Sequence, residues 1–174
     1  MKSNDFDKVA HFYDRLASLV FGKSIRKAQT EYFDLIPPFS RLLIIGGGTG
    51  WILKEILDRQ PEVSICYLEK STRMIEKAKY KESDKKVQFI NCPIEEWVTE
   101  IKFDFIICNF FLDVFQKEKL DRQIMPKIKN KMAIGGKLFV ADFQTNGSND
   151  NLLSQKILLW AMHRFFGVFS NMES

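Results

Sequence analysis

The sequence lacks several features that define other classes of protein. No stretch reaches 18 uncharged apolar residues, and the amino-terminal segment MKSNDFDKVAHF has no apolar signal core, so neither a membrane span nor a secretory signal is predicted. The three cysteines, Cys66, Cys92 and Cys108, stand too far apart in sequence for a metal knuckle. We therefore expect reduced, buried thiols in a soluble cytoplasmic domain without a metal site.

An excess of charge of one sign is also missing. The 26 Lys and Arg residues face 22 Asp and Glu residues, and the resulting net charge of +4 is spread along the chain rather than gathered into a basic block. This distribution gives no support for nucleic-acid binding. The 174 residues, 45% of them hydrophobic, suffice for one domain with a buried core and are too few for two.

Residues 1–40 are predicted to be helical. Apolar side chains recur at spacings of three and four over residues 6–20, which defines one face of a helix. A second helix is predicted over residues 24–36, and the two prolines that follow end it because proline lacks an N–H donor and restricts the residue before it. We interpret residues 1–40 as a helical appendage of the same domain, whose core is residues 41–174.

From residue 41 onward, short apolar runs alternate with helical stretches. Strands are predicted at 42–45, 64–68, 87–90, 103–108 and 137–143, and helices at 51–59, 72–80, 119–132 with a bend at Pro126, and 151–166. Each strand is a nearly continuous apolar run, which is typical of a parallel sheet covered by helices on both faces. The predicted fold class is α/β, with a doubly wound, mostly parallel sheet.

A glycine-rich turn follows the first predicted strand. Gly46, Gly48 and Gly50 let the backbone turn sharply and let a ligand approach its amides near a helix amino terminus, where partial positive charge favours an anion. A dinucleotide fingerprint needs a third glycine where Trp51 stands, which disfavours a nicotinamide cofactor. A phosphate-binding loop needs a lysine that is absent after Gly50, which argues against ATP and GTP.

An acidic residue follows the second predicted strand. Glu69 stands 19 residues after Gly50, at a strand tip that lies beside the glycine turn in a doubly wound sheet. A carboxylate there can accept two hydrogen bonds from a ribose diol. The turn and the acid together predict a site for a ligand that contains ribose.

Several segments together resemble one enzyme family. In chain order they are FDKVAHFYDRL, LLIIGGGTG, YLEKSTRMIEKAK, VQFINCPIEEW, FDFIICNFFLDVF and PKIKNKMAIGGKLFVADF. The chain is similar to class I S-adenosylmethionine-dependent methyltransferases, and within them to the ubiquinone and menaquinone biosynthesis type. The resemblance implies a Rossmann-like fold, S-adenosylmethionine as cofactor, and in-line methyl transfer to a small, apolar molecule.

The resemblance also implies the cofactor-binding residues. The glycine turn would cradle the methionine and ribose, Glu69 would hold the ribose hydroxyls, and the amino-terminal helix would close over the methyl group. The implied set is Tyr13, Gly46, Gly47, Gly48, Gly50, Glu69, Lys70, Ile94, Glu95 and Asn109, of which Lys70, Ile94 and Glu95 border the adenine and Asn109 faces the methionine. No catalytic residue is assigned, since the leaving group departs as a neutral thioether and a dedicated base is not obligatory.

Departures from the family pattern leave a second function open. Ile44 stands where the family often has an acid, and Pro93 stands where an Asp commonly meets the adenine amino group, so that role would pass to Glu95 or be lost. A non-catalytic S-adenosylmethionine-binding or dimerising relative therefore remains an alternative to an active methyltransferase. A nicotinamide enzyme remains a third interpretation, disfavoured by Trp51.

The carboxyl-terminal part predicts two further features. The sequence ends before the last two strands of the family sheet, so we expect self-association through the edge of the fifth strand or through the helix at 151–166. Phe110, Phe111 and Phe115 follow the fourth predicted strand and are candidates for the wall of an apolar acceptor pocket.

Overall fold

One five-stranded sheet organises the chain. The structure is a computed structural model, and it describes residues 26–81 and 86–142. The strands are β1 (Arg41–Ile45), β2 (Ser64–Leu68), β3 (Val87–Ile90), β4 (Phe103–Asn109) and β5 (Met132–Ala141). Their order is β3-β2-β1-β4-β5, and every neighbouring pair is parallel. This arrangement confirms the predicted doubly wound α/β fold.

Helices connect the strands. They are α1 (Trp51–Arg59), α2 (Thr72–Lys81), α3 (Lys117–Lys119) and α4 (Met125–Lys131), with a π-helical turn at Leu120–Ile124 between the last two and 3-10 turns at Phe33–Leu35 and Leu112–Val114. Residues 26–30 are also helical. Among the helices of residues 26–81 and 86–142, none has the length and apolar content needed to cross a bilayer.

Each face of the sheet is covered by its own apolar layer. On one face, Leu42 and Ile44 of β1 pack with the buried sides of α1 and α2. On the other face, Leu43 and Ile45 pack with Ile128 of α4. Alternate residues of one strand thus point into opposite layers, which is why its sequence is apolar without interruption.

The predicted helix over residues 24–36 is wrong in its second half. From residue 26, where the described residues begin, the α-helix continues to residue 30, and the chain then forms the 3-10 turn Phe33–Leu35. Phe33 and Ile36 are both buried, and their spacing of three matches the tighter repeat of a 3-10 helix. Ile36 is extended because Pro37 follows it.

The bend predicted at Pro126 is a π-helical turn. The turn Leu120–Ile124 lies just before Pro126, which occupies the first turn of α4 where its missing N–H costs little. The predicted start of the fifth strand at residue 137 is also wrong, because β5 begins at Met132. Met132 pairs with Phe103 and Lys137 pairs with Phe105, so the strand carries an irregularity between them.

The predictions for the two ends of the chain stay predictions. Two predicted helices lie outside the described residues: the helix over residues 6–20, which includes Tyr13 and the proposed lid, and the helix over residues 151–166. Self-association through β5 or the carboxyl-terminal helix stays a prediction.

The cysteine prediction is corrected at one position. Cys66 and Cys108 are buried thiols outside any disulfide, as predicted, whereas Cys92 is a thiol that is only half-buried. Burial raises the pKa of the Cys66 thiol.

Candidate functional site

The glycine turn lies at the carboxyl end of β1, at the centre of the sheet. The φ values of Gly46, Gly48 and Gly50 are 66°, 63° and 80°. Residues with a side chain rarely adopt this left-handed backbone conformation. Gly50 immediately precedes α1, so the turn delivers backbone amides to the amino terminus of that helix. The structure thus has the sharp turn before a helix amino terminus that the sequence predicts.

The space around the turn differs from one glycine to the next. A Cβ at Gly46 would lie 2.5 Å from Cδ2 of Phe111, and a Cβ at Gly47 would lie 2.3 Å from the ring of Tyr67. A Cβ at Gly48 would meet nothing within 4 Å. Gly48 therefore borders open space, while aromatic rings close the turn at Gly46 and Gly47.

Glu69 reaches back from the end of β2 to the glycine turn. Its Oε2 accepts a hydrogen bond from the N–H of Gly48 at 2.9 Å, and its Oε1 accepts one from the N–H of Ser71 at 2.8 Å. Burial raises the pKa of the Glu69 carboxyl, against the opposing effect of these backbone donors. The carboxylate thus lies against the one glycine of positions 46 to 48 that borders open space.

Tyr67 holds the same glycine from the other side. Its hydroxyl donates to the carbonyl oxygen of Gly48 at 3.0 Å, and its ring is fully buried against Phe89. The peptide groups on both sides of Gly48 are therefore fixed by Tyr67 of β2 and by Glu69, which directly follows that strand. Tyr67 was not predicted from the sequence, although its hydroxyl is polar, its strand is otherwise apolar, and it stands two positions before Glu69.

Asn91 fastens the loop that carries Glu69. Its Nδ2 donates to the carbonyl oxygens of Glu69 and Lys70, each at 2.9 Å, and its Oδ1 accepts a hydrogen bond from Oγ1 of Thr72 at 2.9 Å. Asn91 directly follows β3, the strand next to β2. Asn91 was not predicted from the sequence either. Its polar side chain at the end of a strand, beside the predicted site, could have indicated it.

The residues predicted to border adenine follow β2 and β3. Lys70 is exposed at the tip of β2, while Ile94 is buried in the apolar layer with Leu43 and Leu68. Glu95 is half-buried, and its Oε1 lies 3.1 Å from Nζ of Lys119. The structure therefore brings Lys70, Ile94 and Glu95 to one edge of the sheet, with different degrees of exposure.

The end of β4 contributes an amide and three aromatic residues. Within the described part of the chain, Nδ2 of Asn109 is buried and has no hydrogen-bond partner. The next residue, Phe110, has a φ of 53°, an unusual value for a residue with a side chain. Phe111 and Phe115 meet edge to face, with ring centroids 5.1 Å apart. A donor in need of an acceptor and an aromatic wall thus lie near the glycine turn.

The described residues place no metal-like cluster at this site. Across residues 26–81 and 86–142, no three His, Cys, Asp or Glu side chains are grouped as ligands for an ion. Trp51, which disfavoured a dinucleotide fingerprint, is half-buried at the start of α1, with the guanidinium of Arg26 5.5 Å from its ring centroid.

Comparison with a protein-family model identifies the family. The model described as a methyltransferase domain matches residues 43–138, more than half of the chain. The chain belongs to this methyltransferase family, which confirms the resemblance found in the sequence.

Curated relatives carry the name malonyl-[acyl-carrier protein] O-methyltransferase. The protein of Anoxybacillus flavithermus is 28% identical over 138 residues, which cover 79% of this chain and 51% of that protein. The protein of Halalkalibacterium halodurans is 30% identical over 146 residues, which cover 79% of this chain and 53% of that protein. The chain therefore spans about half the length of the curated relatives it matches.

Solved structures agree with the fold. DhpI in complex with S-adenosylhomocysteine superimposes with a TM-score of 0.66 at 17% identity, covering 78% of this chain and 64% of that one. The N-methyltransferase NodS of Bradyrhizobium japonicum WM9, also with S-adenosylhomocysteine, gives 0.59 at 20% identity, covering 68% and 60%. These similarities support the Rossmann-like methyltransferase fold.

Proposed function

We propose that this chain binds S-adenosylmethionine and transfers its methyl group to an acceptor. The observation that carries the proposal is the Glu69 carboxylate, hydrogen-bonded to the N–H of Gly48 where that glycine borders open space. A carboxylate in that place can exchange a backbone donor for the hydroxyls of a ribose. Membership of the methyltransferase family and structural neighbours that hold S-adenosylhomocysteine support the same ligand.

The residues present fit this cofactor at both ends. Glu69 would accept hydrogen bonds from the ribose diol. The turn at Gly46–Gly48 would border the methionine part of the cofactor. Aromatic rings already fill the space over Gly46 and Gly47, and the space over Gly48 is open. The unpartnered Nδ2 of Asn109 would donate to an oxygen of the methionine end. Lys70, Ile94 and Glu95 would border the base. Tyr13 stays a prediction of the sequence.

The chain's residues contribute alignment and exclusion of water. When bound, S-adenosylmethionine supplies a methyl group on a positively charged sulfur, and the bond breaks to leave a neutral thioether. Because the leaving group needs no proton, the protein mainly holds the acceptor in line and keeps water away, and an acceptor that carries a proton on the attacking atom releases it to solvent. Phe111, which packs against Gly46, and Phe115 are the described side chains suited to that task.

For the acceptor, we propose a small molecule with an apolar part, placed against Phe111 and Phe115. The names of the curated relatives add a carboxyl group on an acyl chain borne by a carrier protein as a second candidate. Both candidates present apolar carbon to the aromatic wall. Turnover with both kinds of acceptor, followed by mass spectrometry of the product, separates them.

A non-catalytic cofactor-binding protein is the alternative. It is favoured by Ile44, which is buried in the apolar layer and supplies no polar anchor, and by Pro93, which supplies no carboxylate. Binding of S-adenosylhomocysteine without turnover of any acceptor would support this alternative.

Isothermal titration calorimetry tests the binding proposal. We expect heat with S-adenosylhomocysteine, none with NAD, and loss of most of the affinity in Glu69→Ala. Glu62→Ala is the matched control, because it removes an exposed carboxylate from the turn before β2, whereas Glu69 follows the other end of that strand. No heat with S-adenosylhomocysteine from a folded sample, or unchanged affinity in Glu69→Ala, would refute the proposal.

A further inference from the structure

Glu95 is held by two lysines of the helical stretch that follows β4. Nζ of Lys119 lies 3.1 Å from the Oε1 of Glu95, and Nζ of Lys127 donates a hydrogen bond to the main-chain oxygen of the same residue. One lysine thus fixes the carboxylate and the other fixes the backbone that carries it. The loop after β3 is fastened at a residue predicted to border the base.

Lys119 also contacts the aromatic wall. Its Nζ lies 5.4 Å from the ring centroid of Phe115, within range of a cation–π interaction. Phe115 meets Phe111 edge to face, and Phe111 packs against Gly46 of the glycine turn. Contacts therefore run without a break from the carboxylate of Glu95, through Lys119, to the glycine turn.

We propose that Lys119 is a positioning residue that sets the base specificity of the cofactor site by orienting Glu95. This inference rests on the proposed function. The family resemblance places the base beside Glu95, and Pro93 offers no carboxylate there, so in this proposal the Glu95 carboxylate accepts a hydrogen bond from the exocyclic amino group of adenine. Because Lys119 binds the carboxylate and packs on Phe115 at once, it restricts the directions that the carboxylate can take.

A simpler role for Lys119 makes a different prediction. The side chains of Lys119 and Glu95 are 40% and 27% exposed, and a partly exposed ion pair that acts only on folding leaves ligand selectivity unchanged. Selectivity between two purines is therefore the readout that separates positioning from stability. Affinity for a single ligand does not separate them.

The experiment measures two ligands by calorimetry. One is S-adenosylhomocysteine, and the other is its analogue with hydrogen in place of the 6-amino group of the purine. In the wild-type chain we expect tighter binding of the adenine ligand. In Lys119→Met we expect the affinity for S-adenosylhomocysteine to fall about three- to fivefold, the upper end for a partly exposed ion pair, and the affinity for the analogue to stay nearly constant. Lys119→Arg should restore the preference.

Further variants locate the effect in the carboxylate. Glu95→Gln should also reduce the preference for adenine, and combining it with Lys119→Met should reduce it no further, since both changes act on one hydrogen bond. Lys127→Met should reduce the preference for adenine less than Lys119→Met does, because it loosens the backbone of Glu95 and leaves the ion pair intact. Lys117→Met, at an exposed lysine two residues before Lys119, is the matched control and should change neither affinity.

Three results overturn the inference. They are an unchanged preference in Lys119→Met, an equal loss for both ligands in that variant, and additive losses in the double variant. Failure of the proposed function looks different, because the wild-type chain then binds neither ligand. Circular dichroism confirms that each variant is folded, and Glu95→Gln and Lys119→Arg keep the inference testable if Lys119→Met is not.

Discussion

The glycines after β1 meet different neighbours, so substitutions there separate folding from ligand binding. Gly47 has no positive φ, and the atoms nearest to a Cβ there belong to Tyr67, whose ring lies 2.3 Å away. Gly48 has a φ of 63°, but a Cβ added there would meet nothing within 4 Å. The first position is limited by packing and the second by backbone conformation.

Gly48→Ala should retain the fold and lose the ligand. The left-handed backbone costs about 1–2 kcal/mol for a residue with a Cβ, and the methyl group enters the space proposed for the cofactor. We expect that loss in chemical denaturation and at least about a tenfold loss of S-adenosylhomocysteine affinity by calorimetry. Gly47→Ala is the comparison and should destabilise the fold by about 1–3 kcal/mol through overpacking against Tyr67. Full affinity in Gly48→Ala would contradict the placement of the ligand.

Glu69 should make ligand binding depend on pH. Burial raises the pKa of its carboxyl above the ordinary value of 4.5, and the ribose hydroxyls donate to the ionised form. Affinity is therefore complete above the raised pKa and falls as the pH decreases through it, so the loss begins at a higher pH than for an ordinary glutamate. Calorimetry over a pH series checks this. Glu69→Gln should bind weakly at every pH, and an equal pH dependence in that variant would assign the titration to another group.

At the scale of the elements, the side chain of Asn91 ties the turn between β2 and α2 to the neighbouring strand β3. Asn91 bonds the carbonyl oxygens of Glu69 and Lys70 from the end of the neighbouring strand. Two strand ends that are adjacent in the sheet are thereby joined beyond the last backbone pair of β2 and β3, Leu68 with Ile90. This link holds the main chain of Glu69, whose carboxylate is bound by the N–H groups of Gly48 and Ser71.

Asn91→Ala should weaken cofactor binding more than it weakens the fold. The substitution removes the amide donor from the carbonyl oxygens of Glu69 and Lys70, and water can replace it at the exposed Lys70, so we expect about 0.5–1.5 kcal/mol of lost stability. S-adenosylhomocysteine affinity should fall about threefold or more as the loop loosens. Thr72→Val, which removes only the hydroxyl bonded to Asn91, serves as a milder control. Unchanged affinity in Asn91→Ala would show that the loop holds Glu69 without it.

Elements that depend on local pattern were predicted well. The bounds of β2, β3 and α1 agree with the predictions because each is an unbroken apolar run or a clear helical period between turn residues. The 3-10 turn at Phe33–Leu35 and the π turn at Leu120–Ile124 were missed, since packing against the sheet determines the helix type there. The early start of β5 was missed because Met132 pairs only by virtue of its neighbour Phe103.

The candidate site divides in the same way. The glycine turn and Glu69 follow from local sequence and from the strand order that a parallel sheet imposes. The roles of Tyr67, Asn91 and Lys119 depend on contacts between segments 19 or more residues apart, which no local pattern encodes. Lys119 in particular acts from the helical stretch after β4 on the loop after β3.

On the scale of the whole sheet, the strands differ in depth. β1 lies at the centre of the strand order, and four of its five residues are buried, whereas β5 lies at one end and contains no fully buried residue. The buried residues of β1, Leu42 to Ile45, thus have a strand on either side and an apolar layer on each face. Opening that exposes β1 must disrupt the rest of the sheet.

Hydrogen exchange should follow this order. We expect amides of β1 to exchange only through global unfolding and those of β5 to exchange through smaller openings, faster by about tenfold or more. Exchange measured by mass spectrometry on the native chain checks the ranking. Slower exchange in β5 than in β1 would mean that its outer edge is protected in solution, as self-association would do.

The hydroxyl and ring of Tyr67 have a consequence for redesign. The ring occupies the volume that any side chain at position 47 would need, and the hydroxyl holds the carbonyl of the next residue. The residues at positions 47 and 67 must therefore be chosen together, although 19 residues lie between them in the sequence. A mutant library should vary them jointly, since alanine at 47 becomes tolerable only with a smaller partner, and that partner gives up the tether that shapes the turn.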